Sequence, residues 1–394
     1  MRLPLLATLI LLIIDVAIDF YLWRRIKRSC KNPLWAKLQA YSAIILNICL
    51  LVVICIPKKK GGDAGLEFLM WSLYAYFSVY VPKYIFCIFD FISAIPKLFR
   101  HKRLNWLSAC GGVLAVLIFV AMWWGALINR YNIDVREVEI IIPDLPESFD
   151  GYTIAQISDM HVGTYGADTS YVAKVVECVN SLDADVITFT GDIVNRKTTE
   201  LVPFIKPLSR LQARDGVYSI LGNHDYGDYY TWPSPEAKQK NMSDLINYQK
   251  QMGWHMLNNE SDFVYRQGDS IAIVGVENVG DPPFNTYGDL DIAYPALDDE
   301  VVKILLSHNP AHWNDDIKDS PDKNIALTLS GHTHAMQISA FGLSPAAWRY
   351  PTWGGLYADE DGHQLYVNIG IGEVGVPARI GATPEITLIT LRRK

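Results

Sequence analysis

The chain has 394 residues, half of them hydrophobic and 12% aromatic, with a formal charge of −7. Its mean hydropathy of +0.11 is apolar for a soluble protein, so the hydrophobicity must be located first. Residues 1–128 hold 15 Lys and Arg against 5 Asp and Glu, and the remainder holds 20 against 37; that acidic remainder lacks the basic surface nonspecific nucleic-acid binding needs, so no nucleic-acid partner is expected.

Four apolar stretches come first, at approximately 3–23, 39–56, 66–95 and 105–128. Each is near or above the roughly 20 residues a helix needs to cross a bilayer, and the reading is four transmembrane helices. No small-residue cleavage site follows the first stretch, only Trp23-Arg24-Arg25, so it is read as a retained span. Loops 24–38 and 97–104 carry six and four basic residues; Arg2, Lys58, Lys59 and Lys60 lie on the opposite side. The positive-inside bias then places the C-terminal part outside the cytoplasm, with a bacterial inner membrane as the expected location. Within the spans, Asp15, Asp19, Lys83 and Asp90 are candidates for function, although Asp19 and Asp90 lie near span ends, where interfacial placement costs little. Only Cys178 falls in the C-terminal part, so cysteine says nothing of the compartment.

Residues 129–149 read as a linker and first strand, and 150–394 as a globular domain. Strands are predicted at 135–142, 153–158, 186–190, 217–221, 271–276, 303–307, 325–329, 365–369 and 386–391. Helices are predicted at 170–182, 201–214 and 234–253. The later, closely spaced strands suggest a second sheet packed on the first.

Five short motifs share one location, just past an apolar strand. They are Ser158-Asp159-Met160-His161, Gly191-Asp192, Gly222-Asn223-His224-Asp225, Ser307-His308-Asn309 and Gly331-His332-Thr333-His334. In open α/β sheets the carboxyl ends of strands are where ligands bind, so these side chains converge. Carboxylate, amide and imidazole donors without thiolate suit divalent ions such as Mn, Fe or Zn, and the residue types fit a binuclear site. Five of the eight histidines after residue 128 fall in these motifs; His255, His312 and His363 lack such a setting.

Taken in order, the motifs resemble the calcineurin-like metallophosphoesterase superfamily over roughly residues 150–394, and Arg379-Ile380-Gly381-Ala382-Thr383-Pro384-Glu385-Ile386 resembles its membrane-associated bacterial phosphodiesterase branch. The resemblance implies a four-layer α/β/β/α sandwich, here following the transmembrane helices, and two divalent metal ions. It further implies that Asp159, His161 and His334 hold one ion, that Asn223, His308 and His332 hold the other, and that Asp192 bridges them. His224 would be catalytic, facing the phosphoryl group as proton donor or charge stabiliser. Many relatives carry Gly-Asp-x-x-Asp; here Asn195 takes the last place, where an amide would steady the imidazole less well. Arg196 is either a phosphate contact, as in relatives with a similar segment, or a surface arginine at a helix start.

The aromatic loop 341–357 begins next to Gly331-His332-Thr333-His334. Its Trp348 and Tyr350 are expected to bind substrate, to meet the bilayer interface, or simply to pack the loop. The function implied is a membrane-anchored, metal-dependent phosphoesterase. It would cleave a phosphodiester, phosphomonoester or pyrophosphate bond of a small or lipid-linked substrate, by attack of a hydroxide shared by the two ions. The alternatives are a transporter or sensor that binds a phosphorylated ligand without turnover, and a protein phosphatase.

Overall fold

A computed structural model of the chain describes residues 5–55, 63–282, 285–320 and 323–394. Arg2 and Lys58, Lys59 and Lys60, which entered the charge comparison, lie outside the described residues. The chain divides into two compact units, Met1–Ala126 and Leu127–Lys394.

Among the described residues, the first unit holds four helices long and apolar enough to cross a membrane: α1 (Leu5–Ser29), α2 (Leu34–Cys55), α3 (Asp63–Ala94) and α4 (Asn105–Leu127). Helix α1 runs on into the stretch expected as a basic loop and ends at Ser29, shortly before Asn32-Pro33. Lys27 and Arg28 in its last turn complement the helix dipole. Asp19 and Asp90 are buried among the helices. Asp19 accepts from Gln39, Tyr80 and Lys83, the last at 2.8 Å. Asp90 is held by Tyr21, Arg103 and Ser108, and Asp15 by Tyr76 and Tyr84. Each carboxylate therefore has the partners that burial in an apolar bundle demands.

The second unit runs β1 (Asp134–Ile142), β2 (Thr153–Ile157), α5 (Ser170–Ser181), β3 (Val186–Phe189), α6 (Ile205–Leu208), β4 (Val217–Ser219), α7 (Pro235–Gln251) and β5 (His255–Met256). It continues with β6 (Glu260–Arg266), β7 (Asp269–Gly275), α8 (Leu290–Ala293), β8 (Lys303–Leu306), β9 (Ile325–Ser330), β10 (Gly355–Ala358), β11 (Gln364–Val367) and β12 (Glu385–Arg393). The strands form two six-stranded sheets, ordered β1-β12-β2-β3-β4-β5 and β10-β11-β9-β8-β7-β6. Strand β1 lies parallel to β12, from Asp134 opposite Glu385 to Ile142 opposite Arg393, and β12 runs antiparallel to β2.

Three apolar clusters define four layers. Ile154, Val186 and Ile389 of the first sheet meet Ile273, Ile304 and Leu329 of the second between the sheets. Outside the first sheet, α5 buries Val172, Val175, Val176 and Val179, the spacing of one helical face. Outside the second, α8 and Trp313 cover Val274, Leu305 and Val367. This is the expected α/β/β/α sandwich.

Two local expectations are corrected. The helix expected over 201–214 is instead one short 3₁₀ turn, Val202–Phe204, and the single-turn α6, since Pro203 and Pro207 remove the N–H donors a longer helix needs. Strands β6 and β10 were not expected; each is an antiparallel edge strand paired on one side, so its sequence need not be continuously apolar.

Candidate metal centre

Strands β2, β3, β4, β8 and β9 end on the five motifs, so their loops meet at one edge of the sandwich. Asp159, His161, Asp192, His332 and His334 all sit at positive φ, between 44° and 72°. Strained backbone of this kind persists only where surrounding contacts fix it, and it clusters at functional sites. Here the clamps are backbone bonds between the loops: Asp159 N to Gly191 O (2.9 Å), His161 N to Asp192 O (3.1 Å) and Gly331 N to His308 O (2.9 Å).

The expected ligands gather into two groups, each with donor atoms within 4.8 Å of one another: Asp159, His161 and His334, and Asp192, His308 and His332. In the first, His161 Nε2 lies 3.1 Å from His334 Nε2, which lies 3.2 Å from Asp159 Oδ1. In the second, His308 Nε2 and His332 Nδ1 stand 3.2 and 2.9 Å from Asn223 Oδ1. Asp192 Oδ2 falls between the groups, 3.6 Å from His161 Nε2 and 3.2 Å from His308 Nε2. The two histidines of the Gly-His-Thr-His turn thus serve different groups, one through Nε2 and the other through Nδ1.

The neighbours orient the ligands. His308 Nδ1 donates to the Thr190 carbonyl at 2.7 Å, which leaves its Nε2 lone pair facing inward. The Tyr350 hydroxyl is 2.9 Å from His332 Nε2, and Asn223 Nδ2 donates to the Tyr229 hydroxyl at 2.8 Å. Asp159 accepts from the Ser158 hydroxyl at 2.6 Å and from His332 N at 3.0 Å.

The protonation states suit divalent cations. Burial pushes His161 well down, and burial with the nearby His308 takes His332 down to about 3. Burial alone would raise Asp159 and Asp192, but the surrounding imidazoles outweigh it and hold both carboxyls low. His308 goes the other way: the Asp192 carboxylate outweighs burial and raises it to about 9. Carboxylates facing imidazoles this closely, buried, with His308 holding a proton that a cation would displace, are a donor set that a pair of cations fits.

His224 stands beside the groups without joining either. Its ring stacks on Tyr229 at 4.2 Å and meets His161 edge-on at 4.8 Å. Its Nδ1 donates to the backbone carbonyl of Asn195 at 2.7 Å. The Asn195 amide, expected at the imidazole, instead donates to Thr164 Oγ1 and the Glu373 carbonyl. Arg196 follows in the same loop, half-buried, with its backbone N–H on Glu200. Trp348 is 92% exposed, away from the ligands that Tyr350 reaches.

Sequence reasoning passed over two residues here. Asp225 is buried and accepts from four backbone N–H groups, those of Asp192, Ile193, Val194 and Gly222, tying two ligand loops together. Its place directly after Gly222-Asn223-His224 was the available signal. Arg379 is buried with Nη2 3.1 Å from His334 Nδ1, and it donates to the Ile369 and Gly372 carbonyls. Its place in the C-terminal motif had been noted without a role.

Comparison with known proteins agrees with this geometry. Residues 1–130 match the family described as "Probable Calcineurin-like phosphoesterase, transmembrane domain", and residues 152–336 match "Calcineurin-like phosphoesterase". A "Transmembrane protein with metallophosphoesterase domain" from Danio rerio is 30% identical over 95% of this chain and 86% of its own length. One of the same description from Bos taurus is 31% identical over 92% and 75%. A metallophosphoesterase of Bacillus subtilis, YkuE, is 30% identical over 74% of this chain and 98% of its own length. From its membrane helices to its paired ligand groups, this chain is an integral membrane protein that belongs to the calcineurin-like metallophosphoesterase family.

Proposed function

We propose that the chain hydrolyses a phosphodiester, phosphomonoester or pyrophosphate bond of a small or lipid-linked substrate, using two divalent cations. The observation that carries this reading is the position of Asp192, whose Oδ2 lies within 3.6 Å of a donor nitrogen in each group. Asp159, His161 and His334 would hold one cation, Asn223, His308 and His332 the other, with Asp192 shared. Two such cations supply a water of lowered pKa and neutralise the phosphoryl oxygens.

The chain's own residues do the rest. The Asn195 carbonyl fixes His224 with Nδ1 protonated, which leaves Nε2 for the substrate. A second proton at Nε2 would pass to the leaving oxygen, a contribution of about 10²–10⁴-fold for a positioned acid. Tyr229 holds that ring flat and also accepts from Asn223, so acid and ligand share one support. Arg196, next to Asn195, would contact the phosphoryl oxygens, and Tyr350 would set the inward nitrogen of His332. The basic loops facing the cytoplasm would put the catalytic domain on the outer face of a bacterial inner membrane.

The test uses the full-length protein in detergent, loaded with manganese, acting on an aryl phosphodiester. Turnover that disappears with chelator and falls on the order of a hundredfold or more in Asp192→Asn is the expected result. A folded, metal-loaded protein without turnover on any ester of a panel of monoesters, diesters and pyrophosphates overturns the enzymatic reading. Full activity in Asp192→Asn overturns the shared ligand.

A further inference from the structure

The loop after the metal ligands carries its apolar side chains on the outside. Phe341, Leu343 and Trp348 are 103%, 75% and 92% exposed, and Met336, Ile338 and Val376 are exposed beside them. Large contiguous apolar surface on a folded domain marks a binding face.

This loop is braced. His334, Ala335, Met336 and Gln337 are four consecutive non-glycine residues at positive φ, a costly backbone that outside contacts must hold. Gln337 supplies them: its Nε2 donates to the Val376 and Ala378 carbonyls, its Oε1 accepts from Val374 N, and its own carbonyl accepts from Ile380 N. Ser339 N donates to the Ile380 carbonyl, and the Ser344 hydroxyl to the Ala335 carbonyl. The exposed side chains are therefore presented by a fixed frame.

The same frame receives the chain as it leaves the last apolar helix. Asn129 Nδ2 donates to the Arg379 carbonyl at 2.9 Å, and Arg130 pairs with Glu373 at 2.8 Å and reaches the Pro377 carbonyl. Segment 373–380 thus binds the residues that follow α4 on one side and Gln337 on the other. Leu127 and Ile128, just ahead of Asn129, are themselves exposed.

We propose that this face of the catalytic unit docks on the bilayer, with Phe341, Leu343 and Trp348 entering the interfacial region. A protein partner would need no particular relation to the chain's exit from the membrane. A bilayer does, and here the apolar rim and the exit residues are joined through one short segment. Phe and Trp beside aliphatic side chains are also the mixture that interfacial burial favours. The rim begins two residues after His334, at Met336, so docking opens the metal centre beside the lipid headgroups. On the hydrolytic reading above, this selects amphiphilic phosphoesters, whose phosphate reaches the metals while the apolar part stays in the membrane.

The experiment does not depend on turnover. The photoreactive residue p-benzoylphenylalanine is placed at Phe341, at Trp348 and, as control, at Tyr265 in the full-length protein. Tyr265 is also well exposed, but it pairs with Ser270 at the start of β7, the end of the sheet opposite the metal loops. The proteins are reconstituted in phosphatidylethanolamine–phosphatidylglycerol vesicles and irradiated, and adducts are read by intact mass. Lipid adducts at 341 and 348, several-fold above those at 265, are expected. No lipid adduct at 341 and 348, equal yield at 265, or cross-links to a second copy of the chain would each overturn the proposal. Loss of hydrolysis without loss of lipid adducts would count against the enzymatic reading alone.

Discussion

The imidazole of His224 rests on the backbone of Asn195: its Nδ1 lies 2.7 Å from that residue's carbonyl oxygen, while the Asn195 amide turns to Thr164 and Glu373. The orienting acceptor is therefore one that every residue at this position possesses. Asn195→Ala should keep most of kcat on an aryl phosphodiester, whereas His224→Ala should lower it by about 10²–10⁴-fold. Equal losses in the two variants would return the orienting role to the side chain.

Tyr350 touches His332 through a single 2.9 Å contact at Nε2. Removing an outer partner of this kind costs about 10–100-fold in metal affinity or activity. Tyr350→Phe should weaken manganese binding by that amount in a titration followed by calorimetry, with the fold intact. An unchanged affinity would reduce Tyr350 to loop packing.

Gly331 leaves no room for a side chain, since a Cβ there would collide with the Ser158 hydroxyl and the Asp159 carboxylate. Gly331→Ala should displace a ligand without emptying the apolar core. The expected result is a folded protein with much reduced metal content by elemental analysis, and wild-type metal content would contradict it.

Asp225 is the acceptor for four buried backbone donors. A buried donor left without an acceptor costs about 1–3 kcal/mol. Asp225→Ala should therefore lower Tm markedly. Asp225→Asn should fall between, because its amide turns N–H groups toward donors that the carboxylate had accepted. A Tm within a degree or so of wild type for the alanine variant would show that water replaces the carboxylate.

Glu373 gives a pH signature. Burial pushes its pKa from 4.5 up to about 7, against the pull of Arg130 and Arg379. The folded chain then keeps a proton that the unfolded chain releases, so stability from this group falls as pH rises from about 4.5 to about 7 and is level above that. Glu373→Gln should flatten the Tm–pH profile within that window. A slope identical to wild type would mean that the carboxyl is already ionised at low pH.

Much of the centre was legible because its ligands occupy fixed places after apolar strands, and strand ends are set by short-range pattern. Asp159, Asp192, Asn223, His308 and His332 each follow such a strand, and the fold brings them together. What the sequence left open depends on contacts between distant loops. No local pattern says that Asn195 acts through its carbonyl, that Asp225 gathers amides from the Asp192 loop, or that Arg379 reaches His334 across 45 residues. The lost helix at 201–214 is a local matter, since its two prolines were in plain view. Asp19 and Asp90 were read by their distance from span ends; their partners come from other helices, which span position alone does not reveal.

The strand order of the first sheet bears on how the domain assembles. β1, made first, has β12 as its neighbour, and β12 also separates β1 from β2. Synthesis therefore leaves β1 with an open edge, and Ile140 and Ile142 uncovered, until nearly all the domain has been made. Pairings of such sequence separation close slowly and expose the chain to aggregation meanwhile. A strand waiting in that state is the stretch of the domain left longest without its sheet partner.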